Sequence, residues 1–205
     1  MPNKILTDLK DILNPARTCL VLWDVQNALV KSIFNRGEFL AGLKKLLESA
    51  RKNKVEVVYT KITPLPLEYQ SGWAVYRNMQ RFGVVDPAKL PQGMRPGSPE
   101  AEIFTDIGPV EKDFVIPKHF ASIFIGTEFE SMMRNRNIET LVFSGIATEI
   151  GIDSSARDAG NRGFYPVVVS DCVSSSSREM HEAALKVLPA VSLVIPSDKI
   201  MEQWS

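Results

Sequence analysis

This chain of 205 residues is poor in the residue types that announce a function. It has two cysteines, Cys19 and Cys172, and no Cys-x-x-Cys pair, so neither a disulfide framework nor a cysteine zinc site is expected. It has two histidines, His119 and His181, and neither is grouped with acidic residues at ligand spacing, so no metal and no other cofactor is expected. Charge of one sign is lacking too: 24 Lys and Arg balance 24 Asp and Glu, which leaves no electrostatic footprint for nucleic acid or an anionic membrane. No apolar run approaches the roughly 20 residues that span a bilayer. The first residues, Met1-Pro2-Asn3-Lys4, lack the apolar core of a secretory signal, and a cytoplasmic location is expected. The chain has no internal repeat and no low-complexity tract.

What is present is an alternation. Short apolar runs at Thr18–Trp23, Val55–Thr60, Asp113–Pro117, Thr140–Ser144, Pro166–Ser170 and Val191–Ile195 read as buried strands. Helical spacing of apolar residues is read over Glu38–Lys52, Thr127–Asn137, Glu149–Arg162 and Arg178–Leu188, with Gly163 closing the third of these. Strands alternating with helices predict one α/β domain over residues 1–205. It is a three-layer α/β/α sandwich around a roughly six-stranded parallel sheet with right-handed crossovers. One stretch breaks the rhythm. Lys61–Lys112 is rich in Pro and Gly, and loops of that length inside a compact domain tend to be functional or disordered. Met79 and Phe82 are expected on a short helix over the sheet edge, and Trp73 or Tyr76 as lid residues lining a substrate pocket.

In open parallel sheets ligands bind beyond the carboxyl ends of the strands. Four polar features fall there: Asp24 with Gln26 and Asn27, Lys118, the turn Gly145–Gly151, and Asp171. Arg157 and Asp158 read as a helix-surface ion pair, His119 as a strand-end hydrogen-bonding residue, and Asp171 as a turn residue. Glu149, near the start of its helix, suits the helix dipole.

Asp-x-Gln after the first strand, Lys-x-x-x-Ser-x-Phe after the third (Lys118, Ser122, Phe124), Gly-Ile-Ala-Thr-Glu-Ile-x-Ile at Gly145–Ile152, and Ala-Arg-Asp-Ala at Ala156–Ala159 stand in this order. Together they resemble the isochorismatase-like hydrolases, the cysteine hydrolase superfamily. The resemblance implies an Asp–Lys–Cys constellation at the sheet's carboxyl edge, with Asp24 and Lys118 as the first two members. The position of the nucleophilic Cys falls on Gly151, and neither Cys19 nor Cys172 stands where it could substitute. Isochorismatases proper, which cleave an enol ether and release pyruvate, also resemble this chain in having glycine there. The metal-binding nicotinamidases of the family use Asp and His residues after the second strand, where Lys61–Gly72 has no His. A cis peptide in the family's loop maps to Ile146–Ala147.

The reading is a hydrolase for a small, carboxylate-bearing molecule, without a Cys nucleophile. Asp24 is the acid or base. Lys118 anchors a substrate carboxylate or stabilises negative charge. Backbone amides of Ala147–Gly151 fix an oxygen. Gln26, Trp73, Tyr76, Ile146, Ala147, Thr148 and Ile150 are the candidate substrate-binding residues. A water-attack amidase and a non-catalytic binding homologue are the alternatives. A homo-oligomer, in the first instance a dimer, is expected from the apolar residues Trp73, Met79, Met132, Met133 and Trp204 and from the resemblance.

Overall fold

The computed structural model describes residues 5–205. Its sheet has six strands, all parallel: β1 (Thr18–Trp23), β2 (Glu56–Ile62), β3 (Phe114–Lys118), β4 (Thr140–Ile146), β5 (Tyr165–Ser174) and β6 (Leu193–Ile195), in the order β3-β2-β1-β4-β5-β6. The order reverses direction between β1 and β4, the switch point at which the loops above an open sheet diverge and leave a crevice. All six residues of β1 are buried, because helices cover both faces.

The helices are α1 (Leu9–Ile12), α2 (Asn27–Ser32), α3 (Arg36–Lys52), α4 (Gly72–Phe82), α5 (Phe129–Asn135), α6 (Asp153–Asn161), α7 (Arg178–Val187) and α8 (Ser197–Trp204). Alternation along β1 sends Leu20 and Leu22 to one core, with Leu43 and Leu46 of α3 and Ile200 and Trp204 of α8. Cys19, Val21 and Trp23 face the other core, with Phe129 and Met133 of α5 and Ala156 and Ala159 of α6. The small residues of α6 let that helix approach the sheet closely. No helix among the described residues is long and apolar enough to cross a membrane.

Three expectations change. Asp171 does not follow β5 but lies within it. The ladder pairs Phe143 with Val168 and next Gly145 with Val173, so five steps on β5 match two on β4. This bulge re-aims Asp171, whose carboxylate accepts from the backbone N–H and hydroxyl of Ser197 at 2.7 and 2.6 Å and holds the start of α8. The helix after β4 opens with a π turn, Thr148–Ile152, before α6 begins. The helix carrying Met79 and Phe82 forms as α4, closed by Gly83 at φ +62°, but none of its residues is buried.

The long segment is anchored at its far end. Asn27 and Ala28 donate backbone N–H groups to the carbonyls of Glu102 and Glu100 at 2.8 and 3.1 Å, and Phe104 N–H donates to Val25 O at 2.9 Å. These bonds satisfy amides at the start of α2, which has no side-chain cap.

Gly145, the penultimate residue of β4, has φ +120°. A Cβ there would lie 2.7 Å from Trp23 N and closer still to Trp23 O. Gly145→Ala is therefore expected to cost at least about 2–3 kcal/mol. A urea unfolding midpoint unchanged from the wild type would show that β1 and β4 can part to admit the methyl group.

Candidate active site

Three adjacent strand ends converge. Asp24 follows β1 in the left-handed region, φ +47°, a conformation that Asp tolerates better than most residues. Its N–H donates to Thr60 Oγ1 on β2 at 2.9 Å, and the Thr60 hydroxyl donates in return to Asp24 Oδ1. Lys118, the last residue of β3, reaches across β2 and places Nζ 2.6 Å from Asp24 Oδ2. The same Nζ donates to Phe120 O at 3.3 Å and lies 4.2 Å from the centre of the Trp23 ring. Asp24 and Lys118 are 3% and 1% exposed.

Burial displaces the proton affinities of this pair. It raises the Asp24 carboxyl above its ordinary value, and the Lys118 ammonium and the Thr60 hydroxyl offset only part of the rise. Burial likewise lowers the Lys118 ammonium, against the pull of Asp24. From the sequence, the neighbouring cation alone would hold the carboxyl low and suit it to be a base. In the fold the desolvation of the carboxylate is the larger effect, which suits Asp24 to carry a proton.

The turn after β4 lies against Trp23, the residue before Asp24. Its Ile146–Ala147 peptide is cis. The amides of Ile150, Gly151 and Ile152 all point back to Ala147 O, at 3.3, 3.1 and 3.2 Å. The expectation that amides through Gly151 hold an oxygen is thus corrected at its far end, because Ile150 and Gly151 use theirs inside the turn.

The other candidates divide. Ile146 is buried in the core shared with α3, Ala147 packs against that core half-buried, and Ile150 is exposed. Thr148 is turned away: its hydroxyl donates to Ser174 O at 3.1 Å and accepts from His181 Nδ1 at 2.8 Å. The Gln26 amide is a strut. It accepts from Ile62 N–H and donates to the carbonyls of Ile62 and Ala101, at 2.9, 3.0 and 2.6 Å. Trp73 and Tyr76 contact each other, ring centres 6.0 Å apart, and are 69% and 54% exposed. The structure does not bring them to Asp24 and Lys118.

Arg157 pairs with Asp153 and not with Asp158, which accepts from Ser122 and so ties α6 to the segment after β3. Glu149 accepts from Ser175 Oγ at 2.6 Å. His119 Nδ1 lies 2.8 Å from Thr63 O, a strand-end bond as expected. Cys19 and Cys172 are both buried, and burial pushes both thiols up. Among the described residues no three His, Cys, Asp or Glu side chains gather as a metal site would require.

Two site residues escaped the sequence reading. Thr60 and Trp23 look like ordinary strand residues, and each ends a run read as a strand in the sequence. The signal was their place: Trp23 ends β1 and Thr60 lies two residues from the end of β2, on the edge that carries Asp24.

Lys118→Met leaves Asp24 buried without its counter-charge, and losing one member of such a pair costs about 3–5 kcal/mol. Without the ammonium, the carboxyl is held still further above its unfolded value. The folded variant then binds the proton more tightly than the unfolded chain, so its stability falls as pH rises. Urea melts should show a larger deficit against the wild type at about pH 8 than at about pH 5. An equal deficit at both would mean that Asp24 is not desolvated.

The sequence and the fold are similar to those of known proteins. The isochorismatase domain model matches residues 18–198. An uncharacterized isochorismatase family protein of Bacillus subtilis, YwoC, is 29% identical over 188 residues, covering 91% of this chain and 94% of its own. The ureidoacrylate amidohydrolase RutB of Pseudomonas syringae is 25% identical over 187 residues, 84% of this chain and 76% of its own. The crystal structure of a cysteine hydrolase from Pseudomonas syringae pv. phaseolicola superposes with TM-score 0.81 over 98% of both chains at 19% identity, a likeness of fold. With the family's domain matched from the first residue of β1 into α8, the chain belongs to the isochorismatase family of hydrolases.

Proposed function

We propose that this hydrolase acts on a small, carboxylate-bearing enol ether by acid catalysis from Asp24, without a covalent thiol intermediate. The observation that carries the reading is the buried Asp24–Lys118 contact, in which burial holds the carboxyl above its ordinary range. A protonated Asp24 gives its proton to the terminal vinyl carbon. The oxocarbenium ion that results takes up water. The hemiketal loses its alcohol to leave a ketone, and the proton released by the water returns to the carboxylate. Donation leaves Asp24 as an anion 2.6 Å from the Lys118 ammonium, which stabilises the conjugate base as it forms. A substrate carboxylate bound near Lys118 keeps the pair from settling as a closed ion pair before the proton moves.

A second reading has support in the amidohydrolases among the relatives. In it Asp24 removes a proton from water, which attacks a small amide such as ureidoacrylate. The two differ in the sign of their pH dependence. An acid works below its pKa, so enol-ether cleavage loses rate as pH rises through the raised Asp24 value, whereas a base gains it. A third outcome, binding without turnover, marks a non-catalytic homologue.

A turnover screen of isochorismate, ureidoacrylate, nicotinamide and small amides separates the three. Asp24→Asn keeps volume and hydrogen bonding but cannot exchange the proton. It is expected to lower the turnover found by roughly 10²–10⁴-fold and to remove the pH limb. A folded Asp24→Asn protein with undiminished turnover would refute the mechanism.

A further inference from the structure

Trp23, the last residue of β1, is seated between two glycines. Its backbone passes Gly145, where any Cβ would collide with Trp23 N and O. Its side chain lies against Gly151 of the π turn. A Cβ at 151 would lie 2.8 Å from Trp23 Cζ2 and closer still to Cε2 and Nε1. The indole therefore occupies the volume in which any side chain at residue 151 would begin. The same ring carries the Lys118 ammonium 4.2 Å from its centre, within cation–π range. Trp23 is 1% exposed.

We propose that Trp23 closes the nucleophile position of this site. Gly151 is then not an empty place for a larger substrate. It is the complement of an indole, and residues 23 and 151 can change only as a pair. Covalent thiol chemistry is closed to this site by occupancy as well as by the absence of a cysteine. A cysteine restored at 151 alone has no room. The inference rests on the reading that residue 151 is the family's nucleophile position.

Two measurements test it, neither needing the substrate. The first is a stability cycle of Trp23→Leu, Gly151→Ala and the double variant in urea. Gly151→Ala is expected to lower the folding equilibrium constant at least about tenfold more in the wild type than in the Trp23→Leu background. Equal effects in both would overturn the occupancy. The second is alkylation by iodoacetamide, read by peptide mass. In Trp23→Leu/Gly151→Cys the thiolate displaces iodide from the reagent's methylene carbon, forming a thioether, with the thiol proton passing to Asp24 or solvent. Residue 151 is expected to label while the buried Cys19 and Cys172 do not, and Gly151→Cys alone is expected to label more slowly or to lose stability. Gly151→Cys that folds as stably as the wild type and labels as fast as the double variant would overturn the proposal. A positive stability cycle with a thiol at 151 that stays inert would leave the packing standing and sink the assignment of 151 as the nucleophile position, and with it the closing role of Trp23.

Discussion

The contact between Asp24 and Lys118 joins residues 94 positions apart across an intervening strand, and the carboxyl edge of the sheet is organised around it. Because β3, β2 and β1 are consecutive neighbours, the lysine must pass over β2 to reach Asp24. Thr60 on β2 bonds to the same carboxylate on the way. Taking two charges out of water costs several kcal/mol each, and only close contact with further hydrogen bonds offsets that cost. The pair has both. The penalty that remains is expressed as proton affinities displaced toward each other, the property an acid catalyst needs and an exposed ion pair lacks.

The second constraint is steric. The switch point between β1 and β4 brings the end of β1 under the turn that leaves β4, and the residue arriving there is a tryptophan. Two glycines make the close approach possible, one for its backbone and one for its ring. The turn spends three consecutive amides on the Ala147 carbonyl and so holds Gly151 where the ring needs it. An indole face under an ammonium that also meets a carboxylate is a compact way to hold a lysine with little rotamer freedom.

The long segment between β2 and β3 divides in its behaviour. Residues 99–104 lie on the start of α2 through backbone bonds and the Gln26–Ile103 bridge, and the Gln26 side chain joins Ala101 to Ile62. Gln26 thus ties this segment to the end of β2. The α4 part of the segment buries none of its residues and leaves Trp73, Tyr76 and Phe82 exposed. Aromatic content at helical spacing was enough to predict that helix, but spacing carries no information about what the apolar face meets.

Strands buried on both faces write themselves as continuous apolar runs, as β1 and β4 do, and the partly exposed edge strands β3 and β6 are apolar too, so all six, the parallel sheet and the layers were legible in the sequence, with β1 matched at both ends. Asp24 and Lys118 were legible as polar residues closing such runs. Bulged pairing was not, because the extra residues of β5 are themselves strand-like except for Asp171, which alone looks like a turn. Nor was the direction of the Asp24 shift: the sequence names the neighbouring lysine but not the depth of burial that outweighs it. The glycine at 151 was visible, and its reason was not. That reason is the ring of Trp23, 128 residues earlier in the chain, and only the pairing of β1 with β4 brings the two into one place.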